Sequence, residues 1–473
     1  MERQHTAQTH LPAPDIDPRP LWSKVAPLAS VMVIAALGTS LVNVLLPAIA
    51  GDFGVTMPAV QWVTLAFLLS STILIVPVGR LADAAGRVRV LRVGLGVFML
   101  ASLIMSVAPG LELLIVVRAV QGAGVAAMLS LPVALVRETV AKDQMGRAMG
   151  IIGASMAFGM ALGPALGGLL SASALGWHGT VFLLVPLGAM AWFLLRKVPA
   201  AYAATPQRSS VDVAGITLLA LVLAGYATAL TLTPGGWMGT TGLLTLVTLG
   251  LLLWVRVEKR ASSPLVDLGQ VRVLGIVPAL ALNFCGSFMM MTFTIIPPFY
   301  LTQGPGLDMG RMGLAMAVGP VVAILTGVFA GRWVDRWGSP RMTGTGLATM
   351  TVAALGFAVL VPIWGVIAFL VTAALLTAGN QMFMAGNNTA VMSRAGAAQQ
   401  GTVSGMMTLA RNLGFITATA VMALAFNTAT TSMAGPDGAA MGMTACFGLA
   451  TVMGVLAVSL SLSKRRFALI PEE

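Results

Sequence analysis

Apolar residues run along this chain in fourteen blocks separated by short charged or glycine- and proline-punctuated connections. The blocks cover roughly residues 25–49, 58–80, 89–107, 111–136, 146–170, 178–196, 212–233, 239–256, 273–301, 311–331, 342–361, 363–389, 402–426 and 441–463. Each exceeds the approximately 17 residues that a spanning helix needs. None shows the strict alternation of a transmembrane strand. The pattern predicts an all-α polytopic membrane protein with fourteen transmembrane helices.

One connection is written twice. Gly79-Arg80-Leu81-Ala82-Asp83-Ala84-Ala85-Gly86 follows the second block, and Gly331-Arg332-Trp333-Val334-Asp335-Arg336-Trp337-Gly338 follows the tenth. The four shared positions repeat at an offset of 252 residues. A charged turn repeated between apolar helices predicts two related halves, as in many transporters. Six spans per half leave blocks seven and eight as an inserted pair. The expected organisation is a tail over 1–24, a six-helix bundle over 25–197, the inserted pair with linkers over 198–260, a second bundle over 261–464 and a tail over 465–473.

Charge sharpens this picture. Charged residues make up 9% of the chain and hydrophobic ones 57%, against about 25% charged in soluble domains. Of the 27 Lys and Arg, all except Arg118, Arg311 and Arg411 fall on one side of the fourteen-span topology. That bias predicts both termini in the cytoplasm, with the expected site the cell membrane. It also explains the net charge of +11 without nucleic acid, because no run of five basic residues occurs. The first 24 residues, with Pro12, Pro14, Pro18 and Pro20, predict a disordered tail, and without a basic-then-apolar start no signal peptide is expected. Cys285 and Cys446 lie in apolar blocks without metal or CxxC spacing and predict buried free thiols. His5, His10 and His178 form no metal or nucleophile–base set, so neither an enzyme nor a metal or other cofactor is expected. No GxxxxGK[ST] loop exists to support ATP-driven transport. A channel would need no such repeat.

The motifs, taken in order, resemble those of the major facilitator superfamily, in its 14-helix drug:proton antiporter type, over roughly residues 25–463. The first octapeptide with Arg87, Arg89 and Leu91 matches the family's loop motif. Leu111 to Ala127, with Arg118 and Gly122, matches the helix-4 motif. Gly159, Gly163, Pro164, Gly167 and Gly168 match the helix-5 antiporter motif, and Leu37 to Ile49, with Asn43 and Pro47, resembles the helix-1 motif. The resemblance implies two six-helix bundles plus two inserted helices, and secondary active export of small amphipathic substrates against protons across a lipid bilayer. A monomer is expected. One departure matters: Leu37 is followed by Gly38 where the family often has an acid. All 16 Asp and Glu fall in loops, tails or helix ends. Neutral, amphipathic or anionic substrates therefore suit the chain better than lipophilic cations.

Each motif also has a physical reading. Asp83 and Asp335, beside Arg80, Arg87 and the terminal glycines, are either solvated loop residues or a latch that grips a neighbouring helix end. Gly159, Gly163 and Gly167 recur every four residues and give block five a smooth face for close packing; the resemblance adds sliding during exchange of access. Arg118 lies about 10 Å below the surface at 1.5 Å per residue. Burying it costs at least roughly 2.5–3.5 kcal/mol, so it faces a cavity or a partner. It is either bonded to carbonyls or Gln121 for structure, or, as the resemblance implies, engaged in substrate or proton coupling. Arg411 and Asn412 form a second intramembrane polar pair. Phe288, Met289, Met290, Met291 and Phe293, the stripe Asn380, Gln381, Met384, Asn387 and Asn388, and Trp62 with Phe67 are candidates for a soft, adaptable pocket.

Overall fold

The computed structural model describes residues 20–140, 144–196, 198, 213–231, 236–260, 275–394, 400–433 and 435–467. Of the expected tails over 1–24 and 465–473, residues 1–19 and 468–473 lie outside the described residues, whereas 21–24 and 465–467 belong to the first and last helices; most of 197–212 and all of 261–274 also lie outside them. The first half holds α1 (Leu21–Phe53), α2 (Met57–Ala85), α3 (Arg87–Met105), α4 (Leu111–Thr139), α5 (Met145–Ser171) and α6 (Gly176–Leu195). Then come α7 (Val213–Thr231) and α8 (Gly236–Arg260). The second half begins with α9 (Val277–Gln303) and α10 (Met309–Trp337). It ends with α13 (Gln400–Ser432) and α14 (Pro436–Phe467). Between them a 54-residue helical run, Ser339–Met392, reverses at Gly365, whose φ is +59°. Its arms, α11 (339–364) and α12 (366–392), pack antiparallel, with Gly346 against Gly379 and Gly356 against Thr372.

Among the described residues, twelve helices are long and apolar enough to span a bilayer. The reversed run crosses twice and α7 is slightly shorter, so fourteen crossings result. No strand occurs among the described residues. Lipid offers the backbone no hydrogen-bond partner, so helices that satisfy their own amides are what such apolar blocks can form. This is a multi-pass membrane protein.

The two octapeptides adopt one geometry. Gly86 and Gly338 have φ of +94° and +80°, a region that favours glycine. In the first copy Gly86 N–H donates to the Ala82 carbonyl at 2.9 Å, and its own carbonyl accepts from Val90. In the second, Gly338 N–H donates to Val334 at 2.8 Å and its carbonyl accepts from Met342. The sequence repeat is thus a structural repeat, closing α2 onto α3 and α10 onto α11 on one face of the molecule, here called the octapeptide face. The opposite face is the distal face.

Within the first bundle α1 packs on α5, and α4 on α2 and α3; in the second, α9 packs on α13, and α14 on α9 and α11/α12. The halves meet along two main seams, α5 with α10 and α2 with α13, with a lesser contact of α1 on α9. Since α2 and α10 are repeat-related, as are α5 and α13, these seams are one contact seen twice. Between the seams of α2 and α13, Asn412 Nδ2 donates to Thr72 Oγ1 at 2.9 Å. The inserted helices lie against each other, and Tyr226 of α7 sits 3.0 Å from Thr417 Oγ1 on α13.

Small residues set how closely these helices approach. A Cβ added at Gly159 or Gly163 would overlap the α1 backbone at Val33 or Leu41, and one at Gly167 would stand 3.3 Å from the Leu41 carbonyl. These three glycines therefore serve packing within a half. Gly168 turns the other way: a Cβ there would stand 2.6 Å from the Gly313 Cα, and one at Gly313 would stand 2.7 Å from the Gly168 Cα. The α5–α10 seam is shut at its distal end by glycine on glycine. Toward the octapeptide face it loosens, and a Cβ at Gly150 or Gly153 of α5 or Gly331 of α10 would meet nothing within 4 Å; the same holds for Gly79 on α2.

Gly163→Leu should cost about 1–3 kcal/mol through overpacking against α1, lowering the thermal midpoint of the purified protein in detergent. Gly79→Ala should leave that midpoint unchanged or raise it, because alanine favours helix and has room there. Equal midpoints for both variants would contradict this assignment of the glycines.

Candidate functional site: a buried arginine and a cationic cavity

Val63 and Phe67 are one turn apart on α2, so both face α4. Arg118 of α4 enters between them. It is fully buried; its Nε donates to the Val63 carbonyl at 3.2 Å, and its guanidinium lies 4.1 Å from the centre of the Phe67 ring. Nη1 donates to Gln121 Oε1 one turn along. Gln121 Nε2 in turn donates to Ser102 Oγ on α3 at 2.8 Å, and that hydroxyl donates to the Phe98 carbonyl. A three-helix network thus holds the charge, and one atom, Nη2, is left without a partner. Asn43 of α1 accepts from Thr64 Oγ1 at 3.0 Å beside the same α2 turn. The polar side chains at this depth are bonded to one another, as apolar surroundings require.

Gln61 is the exception. It is fully buried and neither its Oε1 nor its Nε2 finds a hydrogen-bond partner; the neighbouring Trp62 Nε1 is also unpaired. With Arg118 Nη2, four orphaned polar atoms belong to two neighbouring α2 residues and the arginine bonded two residues further along.

At the octapeptide face, Asp83 accepts from Arg87 Nε at 3.0 Å and Nη2 at 2.8 Å. Arg87 Nη1 also pairs with Glu138 at the end of α4. The first octapeptide is thereby tied to its own bundle. Asp335, its repeat mate, is exposed and forms no ion pair among the described residues. Arg80 and Gly331 lie on this face, Gly331 exposed.

The second half carries a cavity of about 360 Å³ lined by Asn283, Met384, Asn388, Met392, Ser404, Met407, Thr408 and Arg411. Of the pocket candidates read from the sequence, Met384 and Asn388 line it, together with Arg411. The others lie elsewhere. Phe293 packs with Phe357 and Phe369, ring centres 5.7 and 6.2 Å apart. Phe288 and Met289 are buried in the core and Met290 is packed against it. Gln381 points toward α10 near Gly327, and Asn380 is half-buried on the same helix. Phe67 supports Arg118, and Trp62 packs on the core beside Gln61. Pro164 offers its carbonyl to the Gly313 side of the α5–α10 seam.

Sequence reasoning passed over Gln61, Thr64, Thr72, Ser102 and Asn283. Gln61 and Asn283 carried a usable signal, since an amide in an apolar block demands a partner. The hydroxyls carried none, because Ser and Thr bond back to their own helix at many positions, as Ser102 also does.

Among the described residues no group of three His, Cys, Asp or Glu could hold a metal. The described carboxylates, Asp52, Asp83, Glu112, Glu138, Glu258, Asp308, Asp335 and Asp437, all sit in helix ends or connections.

Two repeated helix bundles joined along paired seams, with buried cations inside, define a multi-pass membrane transporter. Residues 28–419 match the family described as the Major Facilitator Superfamily, and the chain belongs to that family. It is similar to riboflavin transporter RibZ of Clostridioides difficile (strain 630), 27% identical over 390 residues that cover 82% of this chain and 84% of that protein. It is also similar to the tetracenomycin C resistance and export protein of Streptomyces glaucescens, 26% identical over 416 residues, covering 87% and 77%. The crystal structure of peptide transporter POT in complex with sulfate shares its fold, with a TM-score of 0.70 at 17% identity over 95% of this chain and 96% of that one.

Gln61→Leu removes two unpaired buried polar atoms and should stabilise the protein by about 1–2 kcal/mol, raising its thermal midpoint. A lowered midpoint would show that the amide is partnered in the native membrane.

Proposed function

We propose that this protein is a secondary active exporter of small amphipathic compounds, working by alternating access in the cell membrane as a proton antiporter. Both octapeptides and both termini face the cytoplasm. The observation that carries this reading is the asymmetry of the α5–α10 seam: glycine against glycine at the distal end, open at the octapeptide face. That is an arrangement from which a solute could be taken up on one side only. Gly79 and Gly331 have free space around them here. Glycine at both positions is explained if the two halves close together at this face in the alternate state.

The octapeptide would act as the latch of that closure. Asp83 is now held by Arg87, which also holds Glu138. Rocking of the halves would release Asp83 toward a helix end of the other bundle, where a carboxylate is favoured. Arg118 would couple substrate to this motion, since its buried, unpaired Nη2 is a donor that a substrate or water could meet once the halves rock and open its enclosure. Proton coupling would have to use carboxylates at helix ends, Asp83 and Glu138 foremost, because no described carboxylate lies at mid-span. Names of relatives support export of structurally varied compounds. The likeness to a riboflavin transporter supports a second reading, export of one metabolite.

Everted vesicles incubated with a compound panel in the medium, with and without an imposed pH gradient, test the proposal. Gradient-driven uptake of several chemically unrelated compounds is expected; transport indifferent to the gradient would overturn antiport, and uptake of a single compound would favour the second reading. Arg118→Ala should insert normally yet lose at least about ten-fold in transport rate, equivalent to ~1.4 kcal/mol. Asp83→Asn should slow turnover several-fold while substrate Kd stays unchanged.

A further inference from the structure

We infer that the cavity around Arg411 is a binding site for amphipathic anions that also carry an N–H or O–H donor, a carboxylate with a neighbouring amide or sulfonamide being the simplest case. The inference rests on the transporter reading and names the substrate class that such a site would select.

Three observations meet in this cavity. Arg411, about 16 Å into α13 at 1.5 Å per residue, lines it and forms no hydrogen bond or ion pair among the described residues; its Nε is buried without a partner. No carboxylate lines the cavity. A cation held in an apolar bundle without a counter-charge raises the local affinity for anions and repels cations.

The second observation is Asn283 on α9, 1% exposed. Its Nδ2 donates to the Met407 carbonyl at 2.6 Å. A carbonyl can only accept, so the amide cannot be reversed, and Oδ1 is the atom left over. That Oδ1 is buried and has no partner. A buried unpaired acceptor is costly until a donor meets it. The cavity is therefore lined by one charged donor and by a residue that keeps one unsatisfied neutral acceptor, and a ligand with an anion and an N–H that reached both would satisfy them at once.

The remaining lining sets the rest of the ligand. Met384, Met392 and Met407 supply soft apolar surface that adapts to different ring systems. Asn388, Ser404 and Thr408 supply polar groups toward the octapeptide face. The distal Arg118 differs in kind: its charge is enclosed by Val63, Phe67 and Gln121, whereas Arg411 is free to pair.

Dansylglycine, which carries a carboxylate beside a sulfonamide N–H, and its uncharged methyl ester form a matched pair of probes. Fluorescence titration of the full chain in detergent should show the acid binding at least about ten-fold more tightly than the ester, the size of one charge-assisted contact. Arg411→Gln should bring that ratio close to one while ester binding persists, and Arg411→Lys should retain part of it. Asn283→Leu should weaken the acid and the ester alike, since it removes the acceptor for their shared N–H. A ratio near one in the unaltered protein overturns the inference, whatever the variants do. So does a ratio that survives in Arg411→Gln. These titrations need no transport: failure of all panel compounds to move in vesicles would instead remove the exporter reading, and a lost acid preference with intact panel transport would remove only this inference.

Discussion

Hydrocarbon gives a polar group nothing to bond with, and the rest of this structure follows from that constraint. The backbone meets it by forming helices throughout the described residues. The helices then cannot use water exclusion to find one another, since lipid is as apolar as they are. They associate instead where small side chains let backbones touch, which is why Gly159, Gly163 and Gly167 meet α1 and why Gly168 meets Gly313. Only the last of these contacts, Gly168 on Gly313, lies between the halves, and it closes the distal end of the α5–α10 seam.

Charge obeys the same constraint in two ways. Arg118 is tolerated inside because a carbonyl, an amide and a ring surround it. Arg411 is tolerated because it borders a cavity. The carboxylates avoid the issue by staying at the helix ends, where Asp83, Arg87 and Glu138 form a cluster at the octapeptide face. The two arginines therefore represent different solutions to one cost, enclosure and access, and they lie in different halves. The repeat does not extend to them: symmetry governs the turns and seams, while the interior chemistry is particular to each half.

Much of the fold was legible along the chain. Long apolar blocks leave the backbone one option, and the octapeptide spacing marked turns whose hydrogen bonds repeat residue for residue. The site was legible in part. Arg118 with Gln121 announced itself, because a charge and an amide one turn apart in an apolar block must be bonded. The Met- and Phe-rich stretch of α9 was less informative. Phe293 is apolar, and apolar side chains serve a core and a pocket equally well until neighbours are known; Phe357 and Phe369 turned out to be those neighbours.

The sequence by itself determined the class of structure: how many crossings, two related halves, and which residues cannot face lipid. Those follow from local composition and spacing, which act on each helix separately. Tertiary structure alone decided which partner each polar residue found and which it lacked. Asn283 gives its amide hydrogens to Met407, 124 residues away, and Asn412 reaches Thr72 across the halves. Pairings over such separations depend on how the bundles are stacked and on which seam is closed, and no local pattern encodes that. The paired glycines at 168 and 313 are likewise only two glycines among 53 until packing brings them together.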